Sequence, residues 1–131
     1  MAIKNNKMRL HIIGCARNAS TPIITMDPYA MISYYLTTYL HRAGHEVHYY
    51  GYKESTVECS KKWECGDRAF LEKYFVTEFA TNHWEDPTEA NNIFFNKAKE
   101  HLLVNYNNGD IIITNWSVTR QMQHNIMFIH P

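Results

Sequence analysis

Between Met8 and Tyr52 the order of local signals is strand, loop, helix, glycine, strand, and that order limits the fold more than any other feature of the sequence. "MRLHIIG" is a short apolar run that ends at Gly14, as a buried strand does. "DPYAMISYYLTTYLHRAGHEV" reads as the clearest helix. Asp27 is placed to cap the free amides, Pro28 suits the first helical position, and Gly44 suits a left-handed stop. Ile32, Tyr35, Leu36, Tyr39, Leu40 and Ala43 recur at helical steps, so this stripe is expected to pack while Ser33, Thr37, Thr38 and Arg42 face out. "EVHYYGY" follows as a second strand. Two strands joined through a helix are parallel, with a right-handed crossover.

The rest of the chain extends the same plan. "STVEC" or "KKWEC" suits a short edge strand, and "DRAFLEKYF" is helical with Asp67 as a cap. "TNHWEDP" is a loop. "TEANNIFFNKAKEHLLVNY" spaces Ala90, Ile93, Phe94, Ala98, His101, Leu102 and Tyr106 for a helix closed by "NNG". "DIIIT" reads as a strand buried on both faces, "SVTRQMQH" as a short helix and "IMFIH" as a last strand. The expected fold class is α/β: a Rossmann-like, open, mainly parallel sheet with helices on both faces, over residues 8–131. Residues 1–7 form a polar start expected to fray.

Composition narrows the function classes. The chain has 131 residues, enough for one domain with its own core. Lys plus Arg and Asp plus Glu are 13 each, so no net field draws nucleic acid by counterion release. No run is long enough to span a membrane and the start has no secretory h-region, so a soluble, cytoplasmic protein is expected. Cys15, Cys59 and Cys65 contain no CxxC pair and are expected as reduced thiols. His41, His45 and His48 resemble a metal set only superficially, because Gly44 ends the helix between the first two. No metal is expected.

In doubly wound sheets ligands sit beyond the carboxyl ends of the strands, where the strand order reverses. That rule points to the loop after Gly14, to Asn115–Ser117 and to Tyr52–Glu54. A dinucleotide-binding turn needs glycines at three set positions, and they do not follow Gly14. A loop of about a dozen residues stands there instead, long enough to shape a pocket. Arg17, Asn18, Ser20, Thr21 and Thr25 supply its polar groups, Asn115 and Ser117 those of the second segment, and Gly14 the turn between strand and loop. Asp27 is an N-cap and also a candidate general base for a bound hydroxyl.

These residues carry a resemblance. "MRLHIIG", a loop of about a dozen residues, a helix ending "HRAGHEVHYYG", "VEC", and a long helix closed by "NNGDIIITNW" resemble the amino-terminal half of glycosyltransferases with the two-domain B fold. Those of large DNA viruses of algae and of phages are the most similar in segment order. The resemblance implies an acceptor-side domain whose partners are a carbohydrate acceptor and a carboxyl-terminal domain. That second domain would hold the nucleotide-sugar donor, leaving no cofactor in this chain, and the host-cell cytoplasm is the compartment implied for a viral protein. The family's loop usually carries a proline and a histidine where this sequence has Ala16 and Arg17, so no catalytic histidine carries over to Arg17. The end at His130–Pro131, directly after a strand, is what a chain divided at a family element would show. Alone it is expected to be inactive. The alternative is a stand-alone Rossmann-like binding or interaction module without catalysis.

Overall fold

A computed structural model of the chain describes residues 6–14, 28–74 and 88–114. The strands are β1 (Arg9–Ile13), β2 (Glu46–Tyr52), β3 (Lys61–Gly66) and β4 (Ile111–Thr114). The helices are α1 (Pro28–Arg42), α2 (Arg68–Tyr74) and α3 (Thr88–Asn105). The strands form one sheet in the order β3-β2-β1-β4, and every neighbouring pair is parallel. Leu10 aligns with Val47 on one side of β1 and with Ile111 on the other. The fold is therefore α/β and Rossmann-like, with a small sheet. No helix among the described residues is long and apolar enough to cross a membrane.

Alternation along the strands splits the core in two. Leu10, Ile12, Val47 and Tyr49 point to the face that carries α1, where Leu36, Leu40, Val57 and Cys59 pack on them. Ile13, Tyr50, Tyr52 and Cys65 point to the other face, against Phe94, Phe95, Ala98 and Leu102 of α3 and Phe70 and Leu71 of α2. Residues 53–60 join β2 to β3, too few for the usual crossover helix. They make a turn at Lys53 and Glu54 and then follow no regular structure, anchored where Ser60 N–H donates to the Val47 carbonyl (2.8 Å) and Val47 N–H to Ser60 Oγ (3.0 Å).

Local chemistry sets the element ends. α1 starts at Pro28 and stops at Gly44, whose φ of 97° suits only glycine well. His45 N–H donates to the Leu40 carbonyl and Gly44 N–H to that of His41, the two bonds of a Schellman stop. Asp67 caps α2, its Oδ1 accepting from Phe70 N–H at 3.0 Å. "KKWEC" is the edge strand, and "STVEC" is the irregular connection before it.

Two expectations are corrected. α1 meets the sheet with its face rotated: Leu36 and Leu40 pack as expected and Arg42 is exposed, but Ser33, Thr37 and Thr38 are buried, whereas Ile32, Tyr35 and Tyr39 are 52%, 56% and 71% exposed. Bulk explains the rotation. The fully buried Tyr49 ring lies over Gly14 and Gly51, occupying the space a Cβ at either would need. A sheet surface filled by that ring admits a helix most closely through small side chains, and Ala30, Ser33 and Thr37 are small. Leu36 and Leu40 border this contact, and Thr37 Oγ1 is left without a hydrogen-bond partner. The second correction concerns β4, which is not buried on both faces. Ile111 is 42% exposed, because among the described residues β4 pairs only with β1.

The rotated face makes a test. Thr37→Val removes an unpartnered buried hydroxyl at almost constant shape and should raise unfolding free energy in urea by about 1 kcal/mol. Tyr39→Ser should change it by less than about 0.5 kcal/mol. The face expected from the sequence predicts the reverse, a neutral Thr37→Val and a costly Tyr39→Ser.

Candidate functional site

β1 ends at Ile13, just before Gly14, and β4 ends beside it, with Ile13 aligned to Thr114. The chain moves from β1 to β2 on one side and reaches β4 on the other, so the strand order reverses there. This is the edge the sequence points to. Of the candidate residues, Gly14 is described; Arg17, Asn18, Thr21, Thr25, Asp27, Asn115 and Ser117 lie outside the described residues. Gly14 is buried, its N–H donates to the Tyr50 carbonyl at 2.7 Å, and the Tyr49 ring fills the space beside its Cα. Packing thus accounts for the glycine at this position.

The third predicted segment, Tyr52–Glu54, is taken up by the fold. Tyr52 is buried, Lys53 N–H donates to the Gly66 carbonyl, and Glu54 accepts from Arg68 N–H at 3.0 Å. Next to it, at the carboxyl end of β3, lies an open groove of about 380 Å³ lined by Glu64, Gly66, Asp67, Phe70, Ile93 and Lys97 among others. A larger, almost wholly apolar hollow of about 620 Å³ lies along Ile32, Tyr35 and Tyr39 on α1. It offers surface to a partner and no group for chemistry.

The densest polar constellation lies at the other end of the sheet. Asp110, just before β4, is 7% exposed, and its Oδ2 accepts from Arg9 Nη1 (2.5 Å), His11 Nε2 (2.7 Å) and Asn107 N–H (2.9 Å). An ionised carboxylate only accepts, so His11 carries its proton on Nε2. Its Nδ1 is then an acceptor, and the Tyr50 hydroxyl donates to it at 2.6 Å. Arg9 also donates to Glu46 (2.5 Å) and to the Asn105 carbonyl (2.6 Å). His48, beside His11 in the β1–β2 register, donates from Nε2 to Glu46 (2.8 Å) and accepts on Nδ1 from Trp63 Nε1 (3.0 Å).

Electrostatics follow from this geometry. Burial alone would raise the Asp110 carboxyl, but the bonds from His11, Asn107 and Arg9 outweigh it and hold it below the usual value. Glu46 is lowered by the bonds from His48 and Arg9. Burial lowers His11 despite Asp110, and the neighbouring Arg9 charge acts in the same direction. Burial raises the Tyr50 phenol, so it is a hydroxyl donor at neutral pH. Tyr, His and Asp in series resemble a relay that activates a nucleophile. Here His11 and Tyr50 are both 0% exposed, so no substrate reaches them and the relay is structural. The sequence gives little warning of it: Asp110 reads as a turn residue, and its partners lie 99 and 101 positions away.

The histidines read from the sequence as a superficial metal set diverge. His41 lies 4.0 Å from Glu58, His45 accepts from Met8 N–H, and His48 sits within the sheet. Among the described residues, no three His, Cys, Asp or Glu side chains converge as a metal would require. The thiols of Cys59 and Cys65 are free, and burial pushes both above the usual range.

Comparisons with protein-family models, curated proteins and solved structures find no match to the chain.

Removing one bond tests the network. Tyr50→Phe leaves His11 Nδ1 buried without its donor and should cost roughly 1–3 kcal/mol in urea unfolding. Acid should weaken the protein in a defined window. His11 is lowered and folds neutral, so stability is full above the ordinary histidine value of 6.5 and falls as pH drops below it toward the folded value. Asp110 and Glu46 are lowered too, and their contribution disappears as pH falls through their folded values. Unfolding free energy that stays constant from pH 7 down to pH 4 would contradict these assignments.

Proposed function

We propose that this chain is the acceptor-side half of a glycosyltransferase, which moves a sugar from a nucleotide-sugar donor to a hydroxyl of a glycan or similar acceptor. The observation that carries the reading is the reversal of strand order at β1, between β2 and β4. In open α/β sheets ligands enter beyond the carboxyl ends at such a point. The two polar segments of the sequence, Arg17 to Thr25 and Asn115 to Ser117, follow the strands that end there. On this reading they contact the acceptor, and Asp27 is the carboxylate that takes the hydroxyl proton. The resemblance places the donor in a carboxyl-terminal domain, and the sequence after Gly14 lacks the glycines of a pyrophosphate-binding turn. Catalysis then comes largely from orienting donor and acceptor across the cleft between the domains.

One observation favours the alternative, a stand-alone interaction module. The exposed stripe Ile32, Tyr35 and Tyr39 is the kind of surface a partner protein covers.

A titration of the chain followed by amide NMR separates the two. Neutral trisaccharides of several linkages, at millimolar concentration, should shift Ile13, Gly14 and Thr114, and uridine or guanosine diphosphate sugars should not. Arg17→Ala and Asn115→Ala should each weaken the trisaccharide response about tenfold, the loss of one good hydrogen bond. Tight binding of a nucleotide sugar by this chain, or no trisaccharide response at Gly14, refutes the acceptor-side reading.

A further inference from the structure

In the bond between Trp63 and His48, a donor that cannot accept faces a histidine ring nitrogen. An indole N–H is a donor with no acceptor capacity. Trp63 Nε1 donates to His48 Nδ1 at 3.0 Å, so that nitrogen must be unprotonated. The other ring nitrogen donates to Glu46 at 2.8 Å. A second proton on His48 would set two donors against each other across 3.0 Å, and one partner must then leave. Tyr50, facing His11, differs because a hydroxyl can turn and accept.

Which partner leaves follows from strength and position. An imidazolium bonded to a carboxylate is held roughly twice as strongly as a neutral pair, so His48 keeps Glu46. His48 is also in the interior of the sheet, 8% exposed and stacked on His11 at 5.1 Å. Trp63 is half-buried on the edge strand. The surrounding groups can be named from each side. β1 contributes Arg9, which shares Glu46, and the buried His11 with Asp110 behind it. β2 contributes Glu46 and Tyr50. β3 contributes Lys61, whose ammonium sits 5.3 Å from the Trp63 ring centre, and α3 contributes His101, whose ring lies 5.4 Å from it.

We propose that His48 and Trp63 form an acid-operated latch: on taking up a second proton, His48 keeps Glu46, expels the Trp63 indole and loosens β3 from α3. Trp63 packs against the cluster that holds Phe94, Ala98 and Leu102 of α3, and His101 also donates to the Glu64 carbonyl at 2.8 Å. The groove bounded by Gly66, Asp67, Phe70, Ile93 and Lys97 lies between the same elements. Release of the indole therefore alters that groove while β1, β2 and β4 stay paired.

The test follows the Trp63 indole N–H and the His48 ring nitrogens by NMR in the whole chain, from about pH 8 to pH 5, where imidazoles change charge. Because the sequence contains three tryptophans, Trp63→Phe assigns the indole signal. The signals should change together, and hydrogen-exchange protection of Trp63 Nε1 and of the β3 amides should fall roughly tenfold or more. The β1–β4 amides should keep their protection. His48→Gln is the decisive variant, since glutamine can accept from Trp63 and donate to Glu46 but takes up no proton. It should hold the indole signal constant over the same range. The latch is refuted if His48 Nδ1 is protonated while the indole stays in place, if His48→Gln retains the transition, or if the whole sheet unfolds before the indole moves. Should His48→Gln fail to fold, Trp63→Phe decides: it should show low β3 protection at both ends of the pH range, and a pH-dependent β3 in it counts against the latch.

Discussion

The Asp110 carboxylate is the interaction on which the sheet depends. It sits where α3 ends and β4 begins, and it receives Arg9 and His11 from β1 and the Asn107 amide from its own turn. Burying a carboxylate is costly unless its acceptor sites are filled by good donors, and three donors fill these. The bonds fix the start of β4 against the start of β1 and so set Leu10 opposite Ile111. With β4 on one side of β1 and β2 on the other, the strand order reverses at β1. Everything proposed about the carboxyl edge follows from that reversal.

The two ends of β1 have different physical roles. Its amino end is a closed network of charged and polar groups that holds the scaffold, and its carboxyl end is glycine under the Tyr49 ring. The surface pair Arg42–Glu58 joins α1 to the β2–β3 connection, but at 69% and 46% exposure it adds little beside Asp110.

What was legible in the sequence was whatever short-range chemistry decides. The ends of α1 were readable because Pro28 and Gly44 act on their own backbones, and β2 because "EVHYYGY" is bounded by Gly44 and the turn at Lys53. The buried face of α1 was readable only in part, at Leu36 and Leu40. Periodicity finds an apolar stripe, but it carries no information about the Tyr49 ring that makes small residues the better contact. The polar network was hidden for another reason: its members are distant in sequence, and Asp110 alone looks like an ordinary turn residue. Gly14 was readable as the place where a strand ends, but not that a tyrosine ring accounts for the glycine. The candidate loop and segment residues lie outside the described residues.

The buried carboxylate pins β4 to β1 and so makes the reversal of strand order. Residue-by-residue hydrogen exchange in Asp110→Asn, which removes the charge and keeps the shape, tests it most directly. Protection should fall at His11, Ile13 and Ile113, whose amides face across the β1–β4 pair, while β2 and β3 keep theirs. Native protection along β4 in that variant, or an equal loss in all four strands, would contradict the claim.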